Sequence, residues 1–155
     1  MIVIKKNPKK DVYKALIDMA IDVCDEFQII LRKDLGPVTT FDPVMKRLEH
    51  SFKEMKEESE WASTILGDNQ TACVHYFYAD ENARHALKDL SNSLYGWVYP
   101  DLPEDLSFFS SGKEWLVTSS HEKESYIHTE NPIEIAKISR IKGLKFRIET
   151  EQTFK

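Results

Sequence analysis

His121 and Glu122 stand side by side shortly after an alternating apolar run, and they are the most concentrated pair of reactive groups in the chain. An imidazole beside a carboxylate can act as general base and orienter or as a pair of metal ligands, and a loop at a strand end is where a scaffold presents such groups. Adjacency works against that use, because neighbours on extended backbone point to opposite faces and cannot both aim at one substrate atom. The residues that follow, Lys123-Glu124-Ser125, do not complete HExxH, so no helical zinc pair is expected. Cys73 and His75 form a second candidate, a thiol with a nearby base, but they share one face of an aromatic run, where a thiol usually packs as a small hydrophobe. Cys24 falls near the apolar stripe of a helical pattern and reads the same way. His75, His85 and His128 have no ligand spacing, and GxSxG, P-loop and GxGxxG motifs are missing, so neither a metal nor a cofactor is expected.

A second kind of chemistry, recognition, is suggested by residues 95–106. Trp97 and Tyr99 lie beside Pro100 and Pro103, with the acids Asp101, Glu104 and Asp105 following the aromatics. Aromatics supply desolvated contact and carboxylates steer an encounter, so these five residues are expected to form a binding surface for a basic protein. The plainer reading of the same segment is a proline-stiffened crossover whose aromatics cover the core while its acids stay in water.

Charge is unevenly distributed along the chain. Residues 1–10 hold four lysines and no acid, whereas residues 11–110 hold 19 acids against 9 bases, within a net charge of −5. An acidic body repels phosphate backbones, which disfavours nucleic acid as the main partner and favours a basic protein, a cation or a small molecule. Lys137, Arg140, Lys142, Lys145 and Arg147 run without an intervening acid, but no aromatics alternate with them to stack on bases. No apolar run is long enough for a membrane span, Met1 to Lys10 lacks the pattern of a signal peptide, and the two cysteines follow no disulfide or metal spacing. The expectation is a reduced, cytoplasmic protein without a membrane partner. At 155 residues one domain, 1–155, can bury a sufficient core.

The elements that must position these residues are read from periodicity. Apolar residues at three- and four-residue steps from Val12 to Leu31 predict an amphipathic helix over 10–32, stopped by Gly36 and Pro37. Asp42-Pro43 opens a second helix carrying Val44, Leu48, Phe52 and Met55, so that the first two helices would pair as a hairpin. Residues 71–78 read as a strand buried on both faces, and Asp80 caps a third helix through Leu87 and Leu90. Beyond Pro100 the period changes to two. A hairpin is expected over 106–119 with a Ser110-Ser111-Gly112 turn, then a short strand at 125–128, a helix capped by Asn131, and a last strand at 145–149. The class is α+β, an N-terminal helical hairpin and a further helix packed on a mostly antiparallel sheet.

Leu102-Pro103-Glu104-Asp105-Leu106-Ser107-Phe108, then Trp115-Leu116, then His121-Glu122, with Trp97 and Pro100 upstream, resembles a pattern in small bacterial single-domain proteins that read LPEDLxF, WL and HE. The likeness covers about residues 97–127, and Ser107 stands where the pattern would have a cysteine. Such proteins look like immunity or accessory proteins of toxin systems. The resemblance implies a non-catalytic inhibitor of another protein and assigns no catalytic role to His121 or Glu122. With no active-site motif to defend, the leading expectation is a protein-binding domain; the alternative is a small hydrolase-like enzyme using His121 as general base with Glu122, Glu124 or a distant acid orienting it.

Overall fold

The computed structural model describes residues 1–150. Its centre is an eight-stranded sheet in which each adjacent pair runs antiparallel. In chain order the strands are β1 (Ile2–Ile4), β2 (Glu26–Leu31), β3 (Phe52–Glu58), β6 (Ala72–Tyr78), β7 (Glu104–Ser110), β8 (Lys113–Ser119), β9 (Glu124–Ile127) and β10 (Phe146–Ile148). They lie in the order β10-β1-β9-β8-β7-β2-β6-β3, and a separate two-stranded hairpin, β4 (Glu60–Trp61) with β5 (Thr64–Ile65), branches off between β3 and β6. Helices α1 (Asp11–Val23), α2 (Asp42–Arg47), α3 (Glu81–Leu90) and α4 (Pro132–Ser139) complete the α+β fold. No helix among the described residues is long and apolar enough to cross a membrane.

Alternation along the strands divides the sheet into two unequal faces. Phe27, Ile29, Leu31, Phe77, Phe108 and Leu116 point into the main core, where Leu16, Ile17 and Ala20 of α1 and Ala83 and Leu87 of α3 meet them. Phe27 stacks on Phe77 with ring centroids 5.0 Å apart. The intervening residues Ile30, Ala72 and Val74 face the other way and are covered only by a small cluster around Trp61. Helices therefore cover one face, and the second face, covered by the Trp61 cluster over β2 and β6, is open mainly along the edge strand β3.

Two of the expected helices are shorter than their periodicity suggested. α1 ends at Val23, and Cys24 turns the chain into extended backbone, so the stretch expected as the helix's last turns is strand β2. The cause is that β2 is a central strand buried on both faces, and a run of apolar residues on both sides satisfies a helical stripe as well as a strand. α2 stops at Arg47, and Phe52 to Glu58, expected to continue it, forms the edge strand β3. The expected hairpin of the first two helices is consequently replaced: α1 packs against α3. The Asp80 cap, the 106–119 hairpin and the Asn131 cap are where the sequence places them, with the Asp80 carboxylate accepting from Ala83 N at 3.0 Å and Asn131 Oδ1 accepting from Ile133 N at 2.9 Å.

Charge clasps the two long helices. Arg84 of α3 donates to Asp18 and Asp22 of α1, and Lys88 reaches Asp18 at 2.8 Å. Desolvation works to raise the Asp18 carboxyl, but the hydrogen bonds from Lys88 and Arg84 outweigh it and hold the group below the usual carboxylate range. A carboxylate whose folded-state affinity for protons is depressed stabilises the fold above its unfolded pKa, about 4, and that contribution is lost as the pH falls through the folded value. We expect Asp18→Asn to flatten the acid limb of a stability-versus-pH curve below about pH 4. Urea unfolding followed across that range checks it, and an unchanged slope would show that the clasp carries no pH-dependent stability.

Candidate functional site

Strand β7 begins with two adjacent acids that lie inside the protein: Glu104 is 1% exposed and Asp105 3%. A buried carboxylate is costly unless donors satisfy it, and the surroundings provide them. Asp105 Oδ2 accepts from the Trp61 indole Nε1 at 2.9 Å and from Ser63 Oγ at 3.2 Å, and Oδ1 accepts from the backbone N of Ser120 at 2.9 Å. Glu104 Oε1 lies 2.7 Å from His121 Nε2 and 3.3 Å from the backbone N of Tyr99, which donates to it. Its second oxygen, Oε2, has no partner. Arg32, braced by Asp34, also feels the charge of both acids; the Asp34 hydrogen bond, assisted by these charges, raises its guanidinium above the ordinary range. The same guanidinium sits over the Trp61 ring, 5.9 Å from its centroid.

A local break in the sheet makes this convergence possible. The β2–β7 register shifts between Gln28, opposite Ser107, and Ile30, opposite Glu104. Asp105 at this bulge has φ +56°, in the left-handed region that Asp tolerates better than most residues. Its backbone is fastened on both sides, N to the Trp97 carbonyl at 3.1 Å and C=O to Ser107 Oγ at 3.1 Å, and Ser107 Oγ in turn accepts from Thr118 N.

The expected binding surface is thereby corrected. Trp97 is fully buried and donates its indole N–H to Tyr13 Oη at 2.9 Å, while Tyr13 donates to the Leu87 carbonyl at 2.6 Å, so this aromatic joins α1 to α3. Glu104 and Asp105 are internal ligands of other side chains and cannot steer a partner from the surface. Tyr99 is half-buried and edge-on to Phe41, leaving Asp101 as the one exposed member of the five. His121 and Glu122 are also separated: the His121 side chain is 53% exposed but paired with Glu104, and Glu122 faces solvent. The carboxylate that orients the imidazole comes from seventeen residues upstream. Cys24 and Cys73 are buried free thiols, burial pushing the Cys24 thiol up; His75 is held below its ordinary range by burial and contacts the Cys73 backbone. Among the described residues no cluster of three or more His, Cys, Asp or Glu is placed to hold a metal ion.

Two clefts border the acid pair. The first, about 880 Å³, opens over the second face of the sheet, with Trp61, Tyr76 and Gln28 in its lining and Glu57, Glu58, Glu60 and Glu114 among its acids. No Lys, Arg or His among the described residues lines it. Gln28 is 2% exposed and its Nε2 has no partner. Tyr76 donates to Glu58 at 2.8 Å, and burial together with Glu58 pushes its hydroxyl above the ordinary range, so it remains a protonated donor. Periodicity alone missed this site; its signal was the acid run 57–60 ending on Trp61. The second cleft, about 440 Å³, holds His121 and Ser120 with Asn7, Lys9 and Lys123. With Nε2 committed to Glu104, the imidazole has Nδ1 left to accept or donate there.

No family model, no curated protein and no solved structure matches the chain.

The Asp105 knot has a measurable worth. Asp105→Ala strands the buried Trp61 and Ser120 donors, at about 1–3 kcal/mol each, and puts a residue without Asp's tolerance at positive φ. We expect a loss of about 3–5 kcal/mol in urea unfolding, with a red shift of the Trp61 emission, and a loss less than half as large for Asp105→Asn. Equal losses for both substitutions would show that the carboxylate's hydrogen bonds are not what holds this region.

Proposed function

We propose that the chain is a non-catalytic binding domain that receives a lysine- or arginine-bearing segment of another protein in the cleft beside Trp61. The observation that carries the reading is a concave surface lined by four carboxylates and no base, on whose floor a buried amide, Gln28 Nε2, lacks an acceptor. A peptide carbonyl would satisfy that amide, Glu60 and Glu114, which hold no ion pair among the described residues while Glu57 pairs with Lys33 and Glu58 accepts from Tyr76, would pair with the cationic side chains, and Trp61 offers aromatic surface to their aliphatic stems. The acid excess of residues 11–110 supports the same polarity of partner. In the form implied by the sequence resemblance, that partner is a toxin and the domain an immunity-type inhibitor. A hydrolase-like reading keeps one supporting contact, the 2.7 Å Glu104–His121 pair at a cleft, with Glu104 in the orienting role expected of Glu122.

Titration with a short lysine- and arginine-bearing peptide, followed by Trp61 emission and calorimetry, tests the proposal. Saturable binding that weakens as salt rises is expected, and Glu60→Gln with Glu114→Gln should weaken it about tenfold, at 0.2–1 kcal/mol per exposed pair. Binding unchanged in that double variant, or equal binding of a glutamate-bearing peptide, would overturn the reading.

A further inference from the structure

The second cleft has the opposite electrical character, and its features point to a different kind of ligand. Lys9 and Lys123 line it, neither forms an ion pair among the described residues, and no carboxylate lines it beside them. Two lysines in one hollow, with no acid paired to either, form a local positive field in a chain whose net charge is −5. The two basic stretches of the sequence also meet near β1: Lys5 N donates to Lys145 O at 2.8 Å, and Val3 pairs with Arg147.

Three further polar groups of the cleft stand where they can meet a ligand. His121 gives its Nε2 to Glu104 at 2.7 Å, which fixes the ring and leaves Nδ1 for a ligand. Asn7 Oδ1 accepts from Tyr95 N at 3.0 Å, so the oxygen of this amide is occupied while its NH₂ is not. Ser120, also in the lining, is 4% exposed, and its Oγ is buried with no hydrogen-bond partner although its backbone N is held by Asp105. A buried hydroxyl without a partner costs free energy that an acceptor in the cleft would recover.

We propose that this cleft binds a small oxyanion of the phosphate class, free or as a phosphate monoester, with Lys9 and Lys123 supplying charge and Ser120 and Asn7 supplying hydrogen bonds beside His121. Several donors spread around one hollow suit the tetrahedral array of acceptor oxygens on phosphate. Glu104 is the positioning residue, since it touches the ring of His121 and not the ligand. The proposal is independent of the acidic cleft, which uses other residues.

The test is a titration of the intact chain with inorganic phosphate, and in a parallel arm with phenyl phosphate, at constant ionic strength maintained with chloride. Backbone and imidazole resonances are followed by NMR. Saturable shifts confined to Ser120–Lys123 and the neighbourhood of Lys9 are expected, weakened at least tenfold in Lys9→Gln with Lys123→Gln. Both lysines are exposed, so the spectrum of the double variant should otherwise match the parent. Tighter binding of phenyl phosphate identifies an ester as the ligand, and equal or weaker binding identifies the free ion; either supports the site. Shifts that do not saturate, that chloride reproduces, or that persist undiminished in the double variant would overturn it.

Discussion

Glu104 and Asp105 impose the constraint on which the rest of the arrangement depends. Two neighbouring carboxylates have been taken out of water, and each must find donors from other parts of the chain or impose an unsatisfied charge on the core. The donors found are far apart in sequence: an indole from the β4–β5 excursion, a backbone amide at the end of β8, and an imidazole from the loop after it. Satisfying the acids therefore also fixes the walls of both clefts. Asp105 holds Trp61 at the acidic one, and Glu104 holds His121 at the basic one.

This arrangement separates charge within one small domain. Acids gather around the open face of the sheet beside β3 and β4, while unpaired lysines gather where β1 meets the chain's later strands. The single figure of −5 conceals two surfaces of opposite sign, and a partner approaching either one would meet a field that the average charge does not describe.

How much of this was legible in the sequence depended on whether local or distant contacts decided each feature. The Asp80 and Asn131 caps and the turn at Ser111 and Gly112, both at positive φ, are local devices, and their elements were read correctly. β2 was misread because its burial on both faces comes from strands and helices elsewhere in the chain, which erase the alternation that marks a strand. β3 was misread because Phe52 and Met55 are three residues apart, as on a helix, whereas their half-exposed state reflects an edge position. Of the candidate site residues, His121 stands in a cleft, and the carboxylate it contacts is a distant one, Glu104, not the adjacent Glu122. Chain adjacency favoured Glu122, and the actual partner is brought over by the β7–β8 hairpin. The burial of Glu104 and Asp105 had no local signal at all, because acids beside prolines ordinarily lie in water.

The place of β1 has a consequence for how the molecule is made. This strand lies between β9 and β10, and the Met1 amine and carbonyl close against Glu149 at 3.0 and 2.8 Å. None of its partners exists until most of the chain has left the ribosome. Until then Ile2 and Ile4 have no strand to pair with, and the sheet's β1 side must wait while the β2–β6–β7 region can already assemble. Such long-range pairings slow folding, because the loop entropy is lost before the contacts form. The pairing of β1 with β9 and β10 thus belongs to the long-range, entropically costly part of folding, and it brings the segment after β1 beside the one that leads into β9, where Lys9 and Lys123 line one cleft.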